Sequence, residues 1–124
     1  HGVDVDQPGT DSYKHRDAGA REVILAGGQR FAIMHEVRGA EEPTLDELLA
    51  RLGPCDWVVV EGFKTPSHAK IEVHRREGSR APLFTEDPSI VAVASDYAAE
   101  FSGPVFDIND IPAIADFILN RQPA

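Results

Sequence analysis

Asp56–Lys64, DWVVVEGFK, is the stretch whose reading decides the fold. Trp57, Val58, Val59 and Val60 form a short unbroken run of aromatic and β-branched residues that stops at Glu61-Gly62. Such a run predicts a strand covered on both faces, as strands are in a parallel sheet flanked by helices. A carboxylate followed by glycine at the carboxyl end of that strand stands where open α/β sheets bind ligands, so Glu61 is a candidate site residue. The plainer alternative is that Glu61 only ends the strand.

Just upstream, Thr44-x-x-Glu47 has the form of a capping box, in which each side chain satisfies the other residue's free backbone N–H. Leu45, Leu48, Leu49 and Leu52 recur at helical spacing, and Gly53-Pro54 stops the pattern, which predicts a helix over Thr44–Leu52. Further back, Arg21–Ala26 and Arg30–Val37 read as two strands around Gly27-Gly28-Gln29, a β-hairpin. His35, alternating with Met34 and Glu36, reads as an edge-strand residue rather than a ligand.

Downstream, Thr65–His68 reads as a turn, and Lys70–Arg76 alternates. Ile71 and Val73 should face one way, with Lys70, Glu72, His74 and Arg76 on the other side. That charged side is either a solvated strand face or a ligand or partner site. Glu77–Pro88 is a long polar loop. Ile90–Ala94 (IVAVA) is a second buried strand ending on Ser95-Asp96, so two acidic strand ends, Glu61 and Asp96, are expected at one sheet edge. Tyr97–Phe101 is a possible short helix capped by Asp96. Val105-Phe106 is a brief strand, and Asp110 caps a last helix with Pro112 near its start. In that helix Ile111, Ile114, Ala115, Ile118 and Leu119 are the expected apolar face.

At the amino end, Val3-Asp4-Val5-Asp6 alternates like the tail of a strand. Gln7–Thr10 has turn composition, and Thr10 or Asp11 can cap a short helix through Ala18, closed by Gly19. The segment is too polar for a core helix. It is either a solvated surface helix or a loop beside a phosphate site with Asp6 facing a metal.

Composition narrows the function classes. The 124 residues suit one domain with a real core, residues 1–124. With 12 basic and 21 acidic residues the formal charge is −9, which argues against nucleic acid or an anionic membrane surface as the main partner. The lone cysteine, Cys55, allows no intrachain disulfide. No apolar run approaches membrane-spanning length and no signal peptide is evident, so a cytoplasmic location is expected.

Asp6, Glu61 and Asp96 all follow strand-like runs, and carboxylates so placed suit Mg²⁺ beside substrate phosphates. Residues 1–124 contain no G-x-x-x-x-G-K-[ST] phosphate loop. The five histidines fit no zinc spacing, and no G-x-S-x-G elbow supports a serine hydrolase.

Four stretches taken together carry a family resemblance. DVDQPGTDSYKHRDAGA (Asp4–Ala20), VVVEGFK (Val58–Lys64), KIEVHR (Lys70–Arg75) and VASD (Val93–Asp96) resemble, in the same order, the molybdopterin-guanine dinucleotide biosynthesis protein B family, MobB. The resemblance implies an α/β, P-loop NTPase-like fold, a mostly parallel sheet with flanking helices and a β-hairpin. It implies a GTP-binding adapter in molybdenum cofactor biosynthesis, a GTPase weak at most, that forms a homodimer and assists a partner nucleotidyltransferase.

It further implies that Glu61 holds a Walker-B-like catalytic position, that Asp4, Asp6 and Glu61 face Mg²⁺, and that the first strand, phosphate loop and first helix precede His1. Asp96 is then a candidate for the guanine base, and Lys64, Lys70, His74 and Arg75 are candidates for an anion or the partner enzyme. Without a phosphate loop, the 124-residue chain is expected to hold Mg²⁺-GTP more weakly than about 1 mM. Two rival readings are a non-catalytic dimerisation or docking module and a metal-dependent hydrolase using the acidic strand ends.

Overall fold

The structure is a computed structural model and describes residues 7–63, 67–78 and 80–121. The chain divides into two compact units, one ending at Gly53 and the other beginning at Pro54.

The first unit holds two helices and a hairpin. Helix α1, Asp11–Asp17, starts where the Thr10 hydroxyl accepts the N–H of Tyr13, and it ends at Gly19, whose φ of 110° few side-chain-bearing residues tolerate. It is a helix with no buried residue, as the surface-helix reading expects, while Asp6 of the rival reading lies outside the described residues. Strands β1 (Glu22–Ala26) and β2 (Phe31–His35) pair antiparallel, with Glu22 opposite His35 and Ala26 opposite Phe31. The Gly27 N–H donates to the Arg30 carbonyl at 2.9 Å and closes the turn. Helix α2, Leu45–Leu49, carries the expected capping box in full, though it is shorter than its apolar pattern. Leu45 and Leu49 are half-buried, while Leu48 and Leu52 are exposed.

The second unit is built on a parallel sheet of order β3-β4-β5: Lys70–His74, Ile90–Ser95 and Val105–Asp107. Its middle strand is the core. Ile90, Ala92, Val93, Ala94 and Ser95 are the buried residues among those described. Ring pairs pack beside it, Phe84 on Phe101 with centroids 5.6 Å apart and Phe106 on Phe117 at 5.4 Å. Helix α3, Ile111–Leu119, begins at the Asp110 cap with Pro112 in its first turn, as expected.

Three expectations are corrected here. Trp57–Val60 forms no strand, and Val59 is 80% exposed. An apolar run becomes a parallel strand only where neighbours take up its backbone N–H and C=O groups. No strand among the described residues pairs with this one, so Glu61 and Asp96 do not meet as two strand ends. Tyr97–Phe101 is an irregular connection, not a helix, because it must carry the chain from the end of β4 back to the start of a parallel β5. The inward face of α3 is Ala113, Ile114, Phe117 and Ile118. It is turned from the expected stripe by the stacking of Phe117 on Phe106, which leaves Ile111 and Leu119 exposed.

Candidate functional site

One face of β3, along its whole length, and the carboxyl ends of β3 and β4 carry polar chemistry of the second unit. Backbone alternation puts Lys70, Glu72 and His74 on one side of β3, and all three are half-buried. Each is engaged by the segment 80–89. Lys70 Nζ donates to Asp87 Oδ2 at 3.3 Å and to Ser89 Oγ at 2.7 Å. The Glu72 carboxylate accepts the N–H groups of Leu83 and Phe84, one on each oxygen, both at 2.8 Å. His74 Nε2 lies 2.9 Å from the Arg80 carbonyl, and its Nδ1 lies 2.7 Å from the Tyr97 hydroxyl. A carbonyl only accepts, so Nε2 carries the proton, and in the neutral ring Nδ1 accepts from Tyr97. The charged strand face is therefore half-covered by its own loop. It is a row of anchors for the following loop.

Asp87 completes that row. The Ser89 hydroxyl and then the Ser89 N–H, both donating to Asp87 Oδ1, hold its carboxyl below the ordinary carboxylate range, with Lys70 adding to the effect.

At the end of β4, Ser95 is buried and its hydroxyl donates to the Tyr97 carbonyl at 2.6 Å. Asp96 is exposed, and its Oδ1 accepts the Arg76 N–H at 2.8 Å. The Arg76 guanidinium lies 5.3 Å from the centroid of the Tyr97 ring, which also meets His74 edge-on at 5.6 Å. After β5, Asp107 Oδ1 accepts the Asn109 N–H, and the Ile108 N–H donates to the Ser95 carbonyl at 2.9 Å. His74, Arg76, Asp96 and Tyr97 are thus brought together at one place.

The other candidates lie elsewhere. Lys70 begins β3 and His74 ends it, roughly 13 Å apart at the rise of a strand, so they do not form one anion site. Arg75 follows β3 and is exposed. Glu61 is exposed in an irregular stretch before Gly62, whose φ is 87°. Asp4, Asp6 and Lys64 lie outside the described residues. Among the described residues no three acidic, histidine or cysteine side chains gather as metal ligands. Glu61 therefore belongs to no such group among the described residues, and Asp4 and Asp6, the other ligands the resemblance implies, lie outside them. Cys55 is free and exposed. No described helix is long and apolar enough to cross a membrane.

Sequence reasoning missed Tyr97 and the hold of Glu72 on the loop. Period-two alternation placed Glu72 on the right face, but its partners lie 11 and 12 residues away in a loop without a local signature.

The family model for molybdopterin guanine dinucleotide synthesis protein B, MobB, matches residues 1–96, which takes in the hairpin, β3 and β4 through Asp96. The chain belongs to the MobB family. Two MobB-type relatives are each called a molybdopterin-guanine dinucleotide biosynthesis adapter protein. That of Escherichia coli K12 is 41% identical over 122 residues, covering 96% of this chain and 70% of its own length. That of Haemophilus influenzae Rd is 42% identical over 122 residues, covering 97% of this chain and 67% of its own. Covering 96 and 97% of the chain, both alignments run past the MobB match into β5 and α3. The α/β architecture with a three-stranded parallel sheet agrees with the P-loop NTPase-like fold expected of a MobB chain.

Proposed function

We propose that this chain acts in molybdopterin guanine dinucleotide biosynthesis as a GTP-binding adapter that docks a partner nucleotidyltransferase, with weak GTPase activity at most. The observation that carries the adapter role is the 41% identity along 96% of the chain to a protein of that name. The GTP half is supported by Asp96, which stands at the carboxyl edge of a parallel sheet with its Oδ2 uncommitted among the described residues. A carboxylate there would accept the N1–H and N2–H₂ of guanine, whereas adenine offers no such donor pair. The Arg76 N–H fixes the carboxylate's orientation through Oδ1, which keeps a second lone pair for the base. Residues 1–124 hold no phosphate loop, so these residues would supply the base-facing part of the site.

The test compares GTP with ATP by calorimetry, using the chain joined to a G-x-x-x-x-G-K-[ST] strand-loop-helix segment, with Asp96 or Asp96→Asn. Loss of guanine preference by at least roughly tenfold, about 1.4 kcal/mol, is expected. Equal selectivity before and after removes Asp96 from base recognition. By the argument on phosphate contacts, the unextended chain binds Mg²⁺-GTP more weakly than about 1 mM.

The second reading, a non-catalytic dimerisation or docking module, is favoured by the hairpin. Ile24, Leu25, Phe31 and Ile33 are 66, 57, 71 and 56% exposed, and Leu25, Ala26, Phe31 and Ala32 help to line an open depression at its turn. Apolar surface so concentrated supports a homodimer through β1 and β2. Sedimentation of Ile24→Lys/Ile33→Lys against the parent chain checks it, with a shift to monomer expected. A thermal shift with GTP separates the two readings, since a docking module alone gives none even with the loop attached.

A further inference from the structure

We infer that Arg76 is a second guanine-reading residue, whose guanidinium donates to O6 and N7 of the base while Asp96 accepts from N1–H and N2–H₂. The inference rests on the base-site reading of Asp96 above and adds the residue for the adjoining edge of the ring. Arg76 is set apart by what it touches. Its N–H donates to Asp96 Oδ1 at 2.8 Å, which ties together two residues 20 apart in the chain. Its guanidinium carbon stands 5.3 Å from the centroid of the Tyr97 ring. The other guanidinium–ring contacts among the described residues, Arg16 with Tyr13 and Arg121 with Phe117, join near neighbours in sequence.

The ring under this guanidinium is held at both ends. The Ser95 hydroxyl donates to the Tyr97 carbonyl at 2.6 Å, and the Tyr97 hydroxyl donates to His74 Nδ1 at 2.7 Å. His74 in turn donates from Nε2 to the Arg80 carbonyl at 2.9 Å and meets the ring edge-on. A guanidinium laid on such a ring keeps the N–H donors of its rim, and placing it in advance lowers the ordering cost of binding. Arg76 and Asp96 are both exposed, and no ion pair joins their side chains among the described residues. A carboxylate and a guanidinium so placed offer acceptors and donors side by side without cancelling each other. Guanine complements both, with donors at N1 and N2 and acceptors at O6 and N7. Adenine carries an amine where guanine has O6, so it meets the guanidinium donor to donor and fails at both residues. The base is uncharged, so the −9 of the chain does not oppose this contact.

The experiment titrates the 124-residue chain with GMP, AMP, inosine monophosphate and 7-deaza-GMP. Each is taken to about 20 mM, since contacts to the base alone bind weakly, and is followed through amide and arginine side-chain N–H resonances. 7-Deaza-GMP replaces N7 by C–H and leaves every group that faces Asp96, whereas inosine monophosphate lacks only the N2 amine. GMP should shift the Arg76 Nε–H and the amides of Asp96 and Tyr97. AMP should bind at least roughly tenfold more weakly than GMP, and 7-deaza-GMP at least roughly fivefold more weakly. In Arg76→Ala, GMP and 7-deaza-GMP should bind equally while the penalty for inosine monophosphate stays. A parent chain that prefers GMP to AMP and to inosine monophosphate, yet binds 7-deaza-GMP as well as GMP, overturns this inference and leaves the Asp96 reading standing. That comparison needs no variant. If Arg76→Ala weakens GMP and AMP by one factor, the guanidinium is a stacking surface only and the edge contact is overturned. No shift with GMP overturns the base site and this inference together.

Discussion

Replacing Glu72 by glutamine tests whether β3 holds the loop 80–89. The two carboxylate oxygens accept the successive N–H groups of Leu83 and Phe84, both at 2.8 Å. Glutamine keeps the shape and one acceptor but turns an NH₂ toward the second amide, so one donor is left facing another donor. A hydrogen bond to a charged group contributes about 1.5–3 kcal/mol, and the half-exposed position of Glu72 puts the expected loss near the lower end, about 1.5–2 kcal/mol. With a urea dependence of about 1–3 kcal/mol per M, the unfolding midpoint falls by on the order of 1 M. Hydrogen exchange localises the effect. The amides of Leu83 and Phe84 should exchange roughly tenfold faster while those of Val93 and Ala94 change only as far as global stability does. An unchanged midpoint together with unchanged exchange at Leu83 and Phe84 would refute the claim that this carboxylate holds the loop.

Two further perturbations have definite signs. A methyl group added at Gly103 would sit 2.8 Å from Phe101 Cε1 and 3.2 Å from the Val91 carbonyl oxygen. The ring can yield but the β4 backbone cannot, so Gly103→Ala should destabilise by about 1–3 kcal/mol in thermal or urea unfolding. Ser89→Ala removes the largest cause of the lowered Asp87 pKa, so carbon-detected titration of that carboxyl should show it rising toward the ordinary value. Because the folded pKa is depressed, Asp87 contributes stability that is complete above its unfolded value and is lost as pH falls through the folded one. In Ser89→Ala that acid-side loss begins at the same pH, set by the unfolded chain, but ends at a higher one and is smaller in extent.

What was legible in the sequence was local. The capping box at Thr44 and Glu47, the Thr10 cap with its Gly19 stop, and the hairpin turn at Gly27–Gln29 each satisfy their own backbone groups within a few residues, so spacing alone identifies them. β4 was legible because five of its six residues are buried and its composition says so. Trp57–Val60 has much the same composition and forms no strand, since pairing depends on neighbours that composition cannot name. At the candidate site, alternation put Lys70, Glu72 and His74 on one face, yet what that face meets is set by residues 80–89, whose sequence carries no period. Asp96 was found from its place after a buried strand. Its contact with Arg76 lies 20 residues back along the chain and leaves no pattern to read.

The anchors on β3 also limit how this segment can vary in length. Lys70, Glu72 and His74 act together because they are two residues apart, and each reaches a different part of the loop. Adding or deleting a single residue between Lys70 and His74 would rotate the later anchors to the opposite face. Two amides of the loop would then lose their acceptor and Tyr97 its histidine. A change of two residues would restore the facing but slide the anchors along the loop by one pleat, about 6.6 Å. The spacing therefore works as a reading frame. Substitution at one of the three positions weakens one anchor, whereas a single insertion or deletion between them misplaces every anchor beyond it at once.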